Sequence, residues 1–115
     1  MKTLGSFKRG DTFAFYADLK DKSTGDIIDI DASLVASQVR NANGKLFAEL
    51  SVTKHATIPG RYLFQTTAAV TSLWPASMDG VLLYIDIAFI VDSVTSSTET
   101  FSVNVLTDIT YEEVT

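Results

Sequence analysis

The sequence predicts an all-β fold, an antiparallel β-sandwich of six to seven strands with one short helix before the strand at 81–91. Three observations predict it. Apolar residues recur with period two along most of the chain, turn-forming residues punctuate them at short intervals, and only one brief segment has helical character. Strands that follow one another without intervening long helices argue against a parallel sheet. At 115 residues the chain is the size of one domain with one core, read as 1–115 with an ordered core of about 8–106 and a tail at 107–115.

The elements are justified in order. Phe13, Phe15, Ala17 and Leu19 alternate with Thr12, Ala14, Tyr16 and Asp18, which is the pattern of a half-buried strand. Asp21 to Asp26 is a turn, because Asp and Ser side chains bond their own backbone and Gly25 supplies positive φ. A short extended piece at Ile27–Ile30 leads to a strand at Ser33–Arg40. Asn43-Gly44 is a hairpin signal, and Lys45–Thr53 is the returning strand. Pro59-Gly60 closes the next connection before a strand at Arg61–Thr66. Thr66 or Thr67 caps a helix through Leu73 of two turns at most, since Pro75 disfavours helical geometry at Trp74. Asp79-Gly80 turns into the most hydrophobic strand, Val81–Val91. Asp92–Thr98 reads as a Ser/Thr loop, and Glu99–Leu106 as the last strand. Regular short strands of this kind form an immunoglobulin-like sandwich.

Composition narrows the function. Hydrophobic residues make up 46% and charged residues 20%, an ordinary globular mixture. There is no cysteine, which excludes disulfides, thiolate metal sites and cysteine nucleophiles, so stability must come from the core. The N-terminal residues lack the apolar stretch of a secretory signal, and Val81–Val91 is too short and too interrupted to span a membrane. Synthesis in the cytoplasm and no membrane contact are expected. Up to Arg61 nine basic residues meet seven acids, a balance of +2; from Tyr62 onward there are seven acids and no base, a balance of −7. An acidic half does not track a phosphate backbone, so no nucleic-acid partner is expected. The asymmetry suits a solvated acidic surface, a basic partner, or self-docking of the acidic half onto the basic half of a neighbour.

Candidate chemistry is sparse. His55, the single histidine, has no local partners for acid–base or metal work and reads as a surface residue. Asp26, Asp29 and Asp31 could converge on calcium, but the glycine and bidentate glutamate of a calcium loop are missing, and turn chemistry with strand alternation accounts for them. Asp86, within Leu83–Ala88, points away from the core beside Tyr84. No catalytic residues, cofactor or metal are expected, and the chain is not read as an enzyme. Trp74 plugs the open end of the sandwich or, on a weaker alternative, stacks on a sugar. The anomaly is Val81–Val91: its second face carries Leu82, Tyr84, Ala88 and Ile90, broken by Asp86, where a sandwich strand normally meets water. A covering segment, a bend or another subunit would explain it. Leu82, Tyr84 and Ile90 are the expected contact residues, with Glu112 and Glu113 as a weaker addition.

Several stretches carry a resemblance: Arg9-Gly10-Asp11-Thr12-Phe13-Ala14-Phe15, Thr24 to Ile30, Val35 to Arg40 with Asn43-Gly44, Pro59-Gly60-Arg61-Tyr62, and the helix-like Thr66–Trp74 before a long glycine-led strand. From about Arg9 to Ile109 the chain resembles small immunoglobulin-like proteins of phage and prophage tail regions, and is similar to the N-terminal domain of phage baseplate upper proteins. The resemblance implies a structural role in a tail, baseplate or tail fibre, with other tail or baseplate proteins, or copies of itself, as partners. It implies residence in the host cytoplasm during assembly, with the virion as an open further location, and it transfers no catalytic residue. A carbohydrate-binding module of a tail fibre or host-recognition apparatus, using Trp74 and nearby loop aspartates, is the alternative.

Overall fold

The long period-two segments become strands in the computed structural model, which describes residues 2–21, 23–98 and 100–107. Eight strands follow in order: β1 (Lys2–Lys8), β2 (Phe13–Asp18), β3 (Val35–Arg40), β4 (Leu46–Lys54), β5 (Arg61–Thr66), β6 (Val81–Val91), β7 (Val94–Ser97) and β8 (Phe101–Leu106). A 3-10 turn at Ala32–Leu34 precedes β3, and one helical turn, α1 (Ala68–Thr71), lies between β5 and β6. Hydrogen bonding runs β1-β8-β6-β3-β4-β5-β2, with β7 also on β6. The fold is an all-β, immunoglobulin-like sandwich approaching a barrel.

The two layers share one strand. Residues 46–50 of β4 pair with β3, whereas Ser51–Lys54 pair with β5, so β4 passes from the larger sheet to the smaller. A bulge at Val39/Arg40 accompanies the crossing, as bulges do where a strand must bend and twist more strongly. On the opposite margin β1 and β2 lie at the two ends of the hydrogen-bonded order. All pairings between named strands are antiparallel except β1 with β8.

Alternation sorts the side chains as expected. Leu83, Ile85 and Ile87 are fully buried and meet Val39, Tyr62, Phe64, Val103 and Val105 in the core. Ser37 is the polar exception on β3, and its hydroxyl donates to the Asp86 carbonyl at 2.9 Å.

Two strands lie outside the sequence expectation. β1 begins at Lys2, ahead of the expected core start at about 8, because its pairing is parallel and far away in sequence, with β8. The expected loop at Asp92–Thr98 contains β7. Asp92 (φ 51°) and Ser93 (φ 66°) are both left-handed and form a two-residue connection between the paired Val91 and Val94, the geometry of a type I′ hairpin. Conversely, Ile27–Ile30 contributes only an isolated bridge, Ile27 with Lys20. The first part of the expected strand at Ser33 belongs to the 3-10 turn, which Asp31 caps by accepting from Ser33 N. The Asn43-Gly44 hairpin forms, with Gly44 at φ 86° and the Asn41 side chain accepting from the amides of Asn43 and Lys45. The tail from 108 lies outside the described residues.

Tyr62 fixes the segment that leaves β2. Its hydroxyl accepts from Ile30 N at 2.8 Å and shares its proton between the carbonyls of Ile28 (3.0 Å) and Ile30 (3.1 Å). Gly60 lets this segment approach, since a Cβ there would overlap Ile27 Cγ2. Tyr62→Phe leaves the part-buried Ile30 amide without its acceptor, which costs about 1 kcal/mol, the lower end for an orphaned amide. The unfolding free energy from urea titration should fall by that amount with an unchanged slope.

Candidate functional site

The outer face of β6 is built by the strand period: with Leu83, Ile85, Ile87 and Phe89 buried, Leu82, Tyr84, Asp86, Ala88 and Ile90 project outward. Leu82 is 51% exposed and Ile90 is 40% exposed, while Tyr84 is half-buried. The cross-strand register sets their surroundings. Tyr84 lies between Arg40 of β3 and Ser102 of β8, and Leu82 lies beside Asn104. Asp86 is opposite Gln38 and accepts from the Thr100 hydroxyl at 2.7 Å. Ala88 is flanked by Ala36 and Ser97, and Ile90 by Thr95.

The three expected contact residues therefore form two patches. Leu82 and Ile90 are eight residues apart, about 26 Å along an extended strand, and Asp86 separates them. Around Tyr84 the surface sinks into a shallow hollow of about 430 Å³, walled by Arg40, Asp86, Thr100 and the β3–β4 hairpin. Arg40 is held in place: its guanidinium donates to Gln38 Oε1 at 2.6 and 3.2 Å and to the Gly44 carbonyl at 2.7 Å. Gln38 in turn donates to Glu49 at 3.3 Å. Glu112 and Glu113 lie outside the described residues.

A larger groove of about 1100 Å³ opens at the end of the sandwich between the β6–β7 hairpin and the segment at 18–30. Ile27, Ile28, Ile30, Phe89, Val91 and Phe101 give it an apolar lining, with Asp18, Lys20, Asp26 and Asp29 among the polar groups. The sequence did not reveal this groove, because its walls, the segment at 18–30 and the β6–β7 hairpin, lie far apart in the chain. The exposed Ile27 in a turn-rich stretch was the available signal.

Three of the acids that line the groove, Asp18, Asp21 and Asp29, are engaged within the chain. Asp18 pairs with Arg61 at 2.7 Å and Asp29 with Lys54 at 2.7 Å. The Arg61 hydrogen bond holds the Asp18 carboxyl below the ordinary carboxylate range, and the Lys54 hydrogen bond does the same for Asp29. The Ser33 amide lowers Asp31, and the Ser23 hydroxyl lowers Asp21. Among the described residues no group of three or more His, Asp or Glu side chains could hold a metal ion. His55 Nδ1 accepts from the amides of Thr57 (3.1 Å) and Ile58 (3.0 Å), and its ring lies 5.6 Å from that of Tyr16, so it organises its own turn.

Trp74 is 1% exposed, with its ring 5.7 Å from Phe7 and 5.3 Å from Phe13. At 1% exposure, packed against Phe7 of β1 and Phe13 of β2, the ring has no surface left for a sugar, which goes against the stacking alternative. Thr71, also buried, donates to the Asp11 carbonyl at 2.7 Å and accepts from Gly10 N at 3.1 Å, tying α1 to the β1–β2 turn.

No family model matches the chain, and no curated protein matches it. Among solved structures, the crystal structure of CopC from Methylosinus trichosporium OB3b is similar at 11% identity, over 70% of this chain and 69% of that one, with a TM-score of 0.46. A likeness at that level carries no argument about this chain.

Two outcomes follow from this geometry. Saccharides should leave the emission of Trp74 unchanged in position and intensity, whereas an exposed stacking indole would be quenched. The four aspartates with lowered folded-state values add stability above the ordinary aspartate range, about 3.9, and lose it as pH falls through their lowered values. Urea midpoints should therefore drop as pH descends from about 5 into the acid range. Asp18→Asn should flatten part of that slope.

Proposed function

We propose that this chain is a non-catalytic assembly module of a tailed phage or prophage, associated with the tail, baseplate or tail fibre and acting through protein–protein contacts. The observation that carries the docking reading is the outer face of β6, where Leu82 and Ile90 are exposed and Tyr84 floors a hollow. Contiguous exposed apolar surface marks interaction sites, and Leu82 beside Tyr84 supplies it at one end of this face. The tail-region assignment is supported by the resemblance of the stretches at 9–15, 24–30, 35–44 and 59–62 to small tail-region sandwiches. Its partners on this reading are other tail or baseplate proteins, met in the host cytoplasm during assembly, and it travels with the particle. Burial of Trp74 weighs against the saccharide-binding alternative.

The test is fractionation of lysates from cells producing the particles, with the chain tagged in place. The wild-type chain should sediment with tails or baseplate intermediates. Tyr84→Asp and Ile90→Asp should stay folded, as judged by circular dichroism, and leave those fractions. A wild-type chain that never sediments with tail components would overturn the assignment, and folded variants that remain in the fractions would overturn the role of this face.

A further inference from the structure

We infer that a second copy of this chain occupies the outer face of β6, packed face to face about a twofold axis with Arg40 of each copy against Asp86 of the other. This rests on the reading of that face as a docking surface and names its occupant.

Charge placement carries the inference. Arg40 and Asp86 project from the same face of neighbouring strands, one register step apart, because Arg40 pairs with Tyr84 and Asp86 with Gln38. They stand on the walls of the same hollow, which Tyr84 also lines. Among the described residues neither forms an ion pair. The guanidinium donates to an amide oxygen and a backbone carbonyl, and the carboxylate accepts from the Thr100 hydroxyl. Each charge is thus held in a defined position by neutral groups and keeps its capacity for an ionic partner.

A twofold interface is self-complementary: if position i meets position j across it, j also meets i. A face bearing one cation and one anion at distinct positions therefore meets its own copy with two ion pairs formed from one pair of residues. Such pairing fixes register and orientation. Leu82 and Tyr84, beside the pair, supply apolar area near the axis, and Leu46, paired with Arg40 on β4 and 42% exposed, extends it. The uneven charge of the chain acquires a use here. The fold sets β3, from the basic half, against β6, from the acidic half, so both signs appear on one surface.

Charge reversal tests the pairing by sedimentation velocity over a wide concentration range, with circular dichroism confirming the fold of each variant. The wild-type chain should dimerise. Arg40→Asp and Asp86→Arg should each weaken dimerisation by about tenfold or more, since each places like charges opposite one another. Mixing the two single variants should restore a heterodimer, because positions 40 and 86 then face opposite charges at both contacts. The double variant should restore the homodimer for the same reason. A wild-type chain that stays monomeric at every concentration would overturn the second copy as occupant, while its sedimentation with tails would leave the docking reading intact. A dimer indifferent to both single reversals, or a mixture that fails to associate, would overturn the Arg40–Asp86 geometry.

Discussion

The sandwich depends on a column of aromatic rings that closes the margin where its two sheets are not joined by hydrogen bonds. Phe7 packs on Phe13 at 5.0 Å, and both pack on Trp74. Phe13 continues to Phe15 at 5.7 Å, and Phe15 stacks on Phe64 at 5.2 Å and reaches Phe101 at 6.2 Å. Phe7 and Phe101 belong to the larger sheet, Phe13, Phe15 and Phe64 to the smaller, and Trp74 to the segment after α1. Aromatic pairs at such separations contribute about 0.5–1.5 kcal/mol each beyond the area they bury. In a chain without cysteine, this column does the work that an inter-sheet disulfide does in other sandwiches.

The other margin is closed covalently, by β4 itself. Because one strand serves both sheets in succession, the layers cannot slide past one another without breaking two ladders. Closure by rings on one side and by a crossing strand on the other leaves β6 and β3 in the middle of the larger sheet, paired on both edges. A central strand buried on its inner face and supported on both sides makes a firm platform. That firmness gives the positions of Leu82, Tyr84, Arg40 and Asp86 their meaning as a surface rather than as isolated side chains.

The two ends of the sandwich differ in character. At one, α1 and Trp74 fill the core opening, with Thr71 and Arg9 bonding across to secure the plug. At the other, the β6–β7 hairpin and the segment at 18–30 diverge, and the groove between them exposes apolar side chains. The tyrosine hydroxyl of residue 62 holds one wall of that groove by three backbone groups. Of the neighbouring carboxylates, Asp18 is taken up by Arg61 and Asp29 by Lys54.

The sequence by itself determined the all-β class, most strand positions, the α1 segment, and which face of β6 turns inward, because period-two alternation and turn chemistry act over a few neighbouring residues. It also marked Leu82, Tyr84 and Ile90 as a surplus apolar set, and alternation alone places them outward. Tertiary structure decided what alternation cannot encode. The strand at Lys2–Lys8 exists because β8 offers it an edge, and Val94–Ser97 is a strand because β6 is long enough to pair with it past the type I′ turn. Trp74 became core rather than platform once Phe7 and Phe13 arrived from strands more than sixty positions away. Arg40 and Asp86 became neighbours only through the β3–β6 register. Each of these outcomes is set by contacts between residues far apart in the chain, and such contacts leave no local period for a sequence to display.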